Sequence, residues 1–228
     1  MSTWGQVSLQ DSNSPLMGHI ESVHDWLMVV LAGIISVVIY VSIWTFLSKE
    51  WNVFFFDSEW LEVIWIMFPS IVLLTLAFPS LQCLYLLEEV SLPKSTIKAV
   101  GHQWYWSYEL VSPTSLETFL FDSYLLPKEW ETGAAPRLLD CDSSILLPVG
   151  EETRLVVSSG DVIHSWALPS MGVKVDAIPG RLNQVILYPL KSGISFGQCS
   201  EICGANHSFM PIKVEAIPRE EWISILKG

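Results

Sequence analysis

The sequence predicts a membrane-anchored all-β protein: an N-terminal two-helix transmembrane hairpin followed by a Greek-key β-sandwich. Three observations lead there. Two uncharged apolar stretches lie within the first 90 positions, one of 23 residues and one of 25. Short β-type segments punctuated by Gly, Pro, Asn and Asp follow, with no long amphipathic helix between them. Half of the 228 residues are apolar and the mean hydropathy is positive, which is too apolar for an ordinary soluble domain. The chain divides into an N-terminal segment (1–24), the hairpin (25–90) and the sandwich (91–228).

Residues 1–24 are polar, without a cleavable signal pattern or an Arg-rich transit peptide, and His19 and His24 receive no role. The first span is WLMVVLAGIISVVIYVSIWTFLS, Trp26 to Ser48. At 1.5 Å per residue it reaches roughly 34 Å, enough for a hydrocarbon core of ~30 Å. Trp26, Tyr40 and Trp44 sit toward its ends, where amphipathic rings favour the interface. The link KEWNVFFFDSE carries the charges that stop it. The second span runs from Val63 to Leu87, and Pro69 and Pro79 inside it each remove a helical hydrogen bond, so kinks are expected. Two crossings put the N-terminus and the C-terminal part on one side. Only Lys49 lies in the link, so loop charge says little about which side. Glu62, just before the second span, suits a helix N-terminus through the macrodipole.

After Glu88 and Glu89 the character changes, and Pro93 breaks the apolar pattern. Period-two alternation begins at GHQWYWSYEL, with His102, Trp104, Trp106 and Tyr108 on one face and Gln103, Tyr105, Ser107 and Glu109 on the other. SILLPV, ETRLVVSS, DVIHSWAL, NQVILYPL and ISFGQ read as further strands, which argues for an antiparallel sandwich or barrel. About 135 residues suffice to close one core. The final IPREEWISILKG reads as a short surface helix.

Charge excludes one class of partner. Net charge is −12, with nine acids against Lys49 alone in residues 1–90 and 15 acids against 11 bases beyond. There is no basic stripe, so the chain is no nucleic-acid binder. Four cysteines are too few for a disulfide scaffold, and Cys83 and Cys141 read as inert packing residues. Nucleotide loops, haem motifs and nucleophiles with a plausible base are absent from the sequence.

The chemistry concentrates in GQCSEICGANHSFMP, residues 197–211, where Cys199, Cys203, His207 and Met210 stand in the spacing C-x3-C-x3-H-x2-M. Soft sulfur favours Cu(I), and imidazole suits copper in either oxidation state. Structural zinc shares two Cys and a His, but the thioether is foreign to it and the spacing is no finger pattern. A Cys199–Cys203 disulfide is the plain alternative, and His207 and Met210 at these spacings count against it. The stretch reads as a copper loop. His164, in SSGDVIHSWALPSMGVK, stands 35 residues upstream of Cys199. A His beside a Trp is more often a packed residue; His164 stands out because the loop lacks a second imidazole. Two His, one Cys and an axial Met make a single-copper electron-transfer site. With one Cys more, two thiolates can bridge two metal ions, leaving His164 and His207 as terminal imidazoles. Met210 and a backbone carbonyl between the cysteines can fill the weaker positions. A late ligand loop plus one upstream His fits a cupredoxin-like sandwich. Trp166, Asp161 and Arg181 are candidates to surround and tune the ligands.

These motifs carry a resemblance. GQCSEICGANHSFMP, HSWALPSMGVKVDAIPGRLNQ at 164–184 and GHQWYWSYE at 101–109 are similar to subunit II of mitochondrial cytochrome c oxidase, and the likeness covers nearly the whole chain. It implies a binuclear centre of two copper ions held by His164, Cys199, Cys203, His207 and Met210. It implies that Glu201 gives that centre its backbone carbonyl and offers its carboxylate to a magnesium ion shared with subunit I. The haems and a third copper would lie in subunit I, the site of oxygen reduction and most proton pumping. Trp104, a core residue by default, becomes the electron entrance facing cytochrome c, and Glu62 the entrance of a proton path into subunit I. Glu109, Asp142 and Asp161 would steer the basic cytochrome c. The family's acidic stretch after the aromatic motif is thinned here, since LVSPTSLET retains only Glu117, which implies weaker or shifted docking.

The resemblance also implies other oxidase subunits and membrane lipid as partners. A Met1 close to the first span favours the mitochondrial inner membrane over a bacterial one, with the C-terminal domain in the intermembrane space. A copper storage or assembly factor is the competing class. Such factors use exposed, exchangeable ligands, whereas these are split between two loops of one domain. A quinol-oxidase relative would lack the copper ligands altogether.

Overall fold

The computed structural model describes residues 5–50, 52, 54, 56–89, 92–111, 118–127 and 136–226. Two compact units emerge, one of Met1–Gly18 with Leu87–Gly228 and the other of His19–Leu86. Glu117 lies outside the described residues.

Both apolar stretches are helical. Helix α1 (Pro15–Leu47) starts 11 residues before Trp26, because Ser14 and Pro15 form a ready-made start. The Ser14 hydroxyl accepts the Met17 amide at 2.9 Å, and Pro15 at the first position has no amide to leave unpaired. Helix α2 (Glu59–Glu88) runs without interruption through Pro69 and Pro79. Hydroxyls within the spans bond to carbonyls of the preceding turn, Ser36 to Ala32 and Ser70 to Ile66, both at 2.7 Å, so these two donors are satisfied within their own helix. Apolar side chains are exposed along both helices, the condition of a surface meant for lipid or neighbouring helices.

The other unit contains β1 (Ser95–His102), β2 (Tyr105–Val111), β3 (Thr118–Ser123), β4 (Ile145–Pro148) and β5 (Thr153–Ser159). They are followed by β6 (His164–Leu168), β7 (Val173–Ala177), β8 (Asn183–Leu187), β9 (Gly193–Cys199), β10 (Pro211–Ile217) and helix α3 (Arg219–Leu226). They form two five-stranded sheets, β3-β2-β1-β5-β8 and β4-β10-β9-β6-β7. Trp106, Tyr108, Leu155, Val157, Trp166, Leu168 and Ile212 form part of the buried core. At ~25 cal/mol per Å² of apolar surface, each large side chain buried there contributes roughly 1.5–3 kcal/mol before entropy is subtracted.

Four features depart from the sequence expectations. GHQWYWSYEL is the end of one strand and the start of the next. His102 closes β1, Gln103 and Trp104 turn, and Tyr105 opens β2, pairing with His102. Alternation across a tight hairpin mimics alternation along a strand. Second, the sheets are mixed: β1 runs parallel to β5, and β4 parallel to β10. Connections that cross between sheets bring strands in beside parallel neighbours, which short-strand patterning does not reveal. Third, α3 is more than a surface helix. Trp222 and Leu226 are buried, and Trp222 Nε1 donates to the Leu146 carbonyl at 3.1 Å.

Fourth, the first residues group with the β unit. The Asn13 amide donates to Ser170 O at 2.8 Å, and Asn13 O accepts the Leu190 amide at 3.0 Å. Its side-chain Oδ1 accepts the Lys191 amide at 2.9 Å. The Ser14 hydroxyl donates to Met171 O at 2.7 Å, and Met17 is buried.

Candidate metal centre

Strand β6 delivers His164, and the end of β9 delivers Cys199. The two strands are neighbours, with Trp166 in register with Cys199, so ligands 35 positions apart are placed side by side. The Ser200 amide donates to Ser165 O at 2.9 Å and ties the loop after β9 back to β6. The loop then passes Cys203 and enters a short 3-10 turn, His207–Phe209, that ends at Met210. Gly101 on β1 makes room for the histidine: a Cβ there would lie 2.8 Å from His164 Cδ2 and 3.0 Å from Cγ.

The ligand atoms of His164, Cys199 and Cys203 all lie within 4.8 Å of one another, and all three residues are buried. Cys199 Sγ is 3.9 Å from His164 Nδ1 and 3.4 Å from the Glu201 carbonyl oxygen. Cys203 Sγ is 3.5 Å from His207 Nδ1 and 3.5 Å from Met210 Sδ. All four cysteines are free thiols. Two thiols, two imidazoles, a thioether and a carbonyl converge, six donors where tetrahedral zinc takes four, and the sulfur-rich set suits copper.

Asp161 fixes the orientation of His164. Its Oδ1 sits 2.9 Å from His164 Nε2, which leaves Nδ1 facing the thiols. Burial works to raise the Asp161 carboxyl, but the His164 bond and the Val162 and Gln103 amides outweigh it and hold the group below its ordinary range. Burial likewise works to lower His164, but Cys199 and Asp161 outweigh it and raise the imidazole. At Cys199 burial opposes ionisation, yet bonds with His164, with the Ser165 and Glu201 backbone and with His207 bring the thiol down to about 7. Burial and then the charge of Cys199 push Cys203 up to about 12. The first thiol ionises readily, while the second would hold its proton in neutral water and release it when a metal cation took its place.

The other sequence candidates are spread more widely. Trp104 occupies the β1–β2 turn, half-buried, and its Nε1 is buried without a hydrogen-bond partner among the described residues. A Cβ at Gly204, which has φ +129°, would lie 3.0 Å from Trp104 Cζ2, so the indole lies against the ligand loop. Glu109 is tied to Lys98 at 3.2 Å on the outer face of the first sheet. Asp142 is exposed, and its Oδ1 accepts the Tyr124 amide at 2.8 Å. Trp166 is buried and donates from Nε1 to the Tyr108 hydroxyl at 3.3 Å. Arg181 is exposed in the turn between β7 and β8, and the Glu201 side chain is exposed beside the cluster. Glu62 lies in the first turn of α2, in the other unit. Sequence spacing carries no sign of Gln103, whose bonds reach partners 58 and 100 positions away.

Residues 95–217 match the family described as cytochrome c oxidase subunit II, periplasmic domain, and residues 2–83 match its transmembrane domain. The chain belongs to the cytochrome c oxidase subunit II family. Cytochrome c oxidase subunit 2 of Culex quinquefasciatus is 47% identical over 227 residues, covering 98% of each chain. The Aedes aegypti and Drosophila subobscura proteins are each 46% identical with the same coverage. Among solved structures, the periplasmic domain of subunit II of Bradyrhizobium japonicum cytochrome oxidase is similar, with a TM-score of 0.55 and 42% identity. That match covers 61% of this chain and 95% of that one. As a subunit II family member, the chain is a membrane-anchored subunit of a cytochrome c oxidase, its β unit is cupredoxin-like, and its Cys/His cluster is compatible with a copper centre.

Proposed function

We propose that this chain is the electron-accepting subunit of cytochrome c oxidase, taking electrons from cytochrome c and passing them to haem in subunit I. There oxygen is reduced to water and protons are pumped. The observation that carries this reading is a pair of buried thiols with an imidazole against each: His164 Nδ1 at 3.9 Å from Cys199 and His207 Nδ1 at 3.5 Å from Cys203. Two copper ions would be held by His164, Cys199, Cys203, His207 and Met210 through their side chains and by Glu201 through its carbonyl. Bound copper supplies a store for single electrons between two oxidation states.

The chain's own residues prepare that site. Asp161 holds the His164 ring by Nε2, and the buried strands exclude water, so the ligands need little rearrangement when charge changes. The Glu201 side chain is exposed, which supports a role for its carboxylate outside the cluster, at a magnesium ion shared with subunit I. Trp104 lies against the ligand loop, which supports its place as the electron entrance. Asp142 and Asp161 supply negative charge for the docking of cytochrome c. Glu109 contributes less, because Lys98 offsets its charge. Glu62, exposed in the first turn of α2, is the entrance of a proton path into subunit I. The protein resides in the mitochondrial inner membrane with its β unit in the intermembrane space.

Metal analysis and electron paramagnetic resonance of the full-length chain in detergent test the reading. Two coppers per chain with one unpaired electron shared over both nuclei are expected. One copper with a blue-copper spectrum refutes the binuclear centre, and stoichiometric zinc after copper reconstitution refutes copper altogether.

A further inference from the structure

We infer that Gln103 is a positioning residue for the metal centre, a clamp joining the two chain segments that carry its ligands. The inference rests on the copper reading above. The Gln103 backbone amide donates to Asp161 Oδ2 at 2.7 Å, and its side-chain Nε2 donates to the Cys203 carbonyl at 2.7 Å. Asp161 uses its other oxygen to hold His164 Nε2 at 2.9 Å. One residue therefore reaches His164 through a single intermediary and grips the backbone of Cys203 directly. Its partners stand 58 and 100 positions away, so these bonds cross elements rather than tighten a local turn.

The residue type matches the task. A carbonyl accepts only, so the amide must present its NH2 to Cys203, and the assignment of nitrogen and oxygen follows from chemistry. Glutamate would set acceptor against acceptor, and asparagine is one methylene too short. Gly204 completes the fit, since a Cβ there would lie 3.2 Å from Gln103 Nε2. The Gln103 side chain is exposed, so removing its amide opens no cavity in the core. Its contribution is to where the ligands stand and not to how well the sandwich packs.

The test uses the full-length chain reconstituted with copper, as Gln103→Met, which keeps length without a donor, and as Gln103→Glu, which keeps shape. Gln103→Met should lose copper to a Cu(I) chelator about 10-fold faster than the unsubstituted chain, with an altered thiolate–copper absorption. Gln103→Glu should lose it at least as fast. The thermal midpoint of the copper-free chain should move by no more than about 2–4 °C in either variant. Unchanged copper retention and absorption in both variants, with normal uptake by the unsubstituted chain, overturns the clamp alone. Faster loss matched by an equally marked fall in the copper-free midpoint also overturns it, because the role is then plain fold stability. An unsubstituted chain that takes up no copper overturns both the clamp and the copper reading.

Discussion

Gly101→Ala puts the packing around His164 to a quantitative test. The added methyl would sit 2.8 Å from His164 Cδ2, 3.0 Å from Cγ and 3.1 Å from Cβ. Carbon atoms reach favourable contact at about 3.5–4.0 Å, so the histidine must retreat by roughly 0.5–1 Å. Cβ is fixed to the backbone of β6, so rotating the ring cannot relieve the overlap. A retreat of that size stretches the 2.9 Å bond to Asp161 beyond hydrogen-bond length or withdraws Nδ1 from the thiols. Overpacking of this kind costs about 1–3 kcal/mol. For a domain of this size that lowers the thermal midpoint by about 2–12 °C. Copper affinity should fall about 10- to 100-fold, as when the support of a ligating histidine is lost. Calorimetry of the copper-free chain and chelator competition on the loaded chain measure the two effects separately. Full copper affinity with an unchanged midpoint refutes the steric argument. A lowered midpoint with undiminished affinity refutes the link between Gly101 and ligand geometry.

Three further substitutions test the ligand loop and the docking surface. Cys203→Ser should abolish the binuclear site while far-ultraviolet circular dichroism stays that of the folded sandwich, since one oxygen cannot replace a soft bridging thiolate; full copper retention would remove Cys203 from the ligand set. Trp104→Phe should leave cytochrome c affinity nearly unchanged and slow electron transfer within the bound complex, whereas Asp142→Asn should weaken association at low salt and matter little at high salt. Stopped-flow reduction across a salt series separates these, and a Trp104→Phe variant that alters affinity alone makes Trp104 an ordinary packing residue.

The cluster of sulfur and imidazole groups was legible because metal chemistry constrains residue type and spacing together. Cys199, Cys203, His207 and Met210 lie within 12 positions, and few other functions require that combination. The spans were legible because hydropathy over 20 residues is a strong signal. What escaped depends on contacts between distant residues. Asp161 is legible as a candidate to tune the ligands but not as the group that holds the His164 ring, and Gln103 reads as one face of a strand that proves to be a hairpin turn. Helix α1 begins ahead of the apolar span, since charge at Glu21 and Asp25 interrupts a hydropathy run without ending a helix. The parallel pairings of β1 with β5 and β4 with β10 depend on how connections cross the sandwich, which local patterning does not encode.

The bonds made by Asn13 and Ser14 turn the β unit into an interrupted domain, with the hairpin as an insertion within it. Residues on both sides of the insertion must meet in the same aqueous compartment, which only an even number of membrane crossings allows. A chain with a single helix inserted leaves the Leu190 and Lys191 amides, and the Ser170 and Met171 carbonyls, parted from their partners. Closing the β unit therefore requires that both helices cross or that neither does. Topology is recorded in hydrogen bonds outside the bilayer, where the link's single base, Lys49, could record almost nothing.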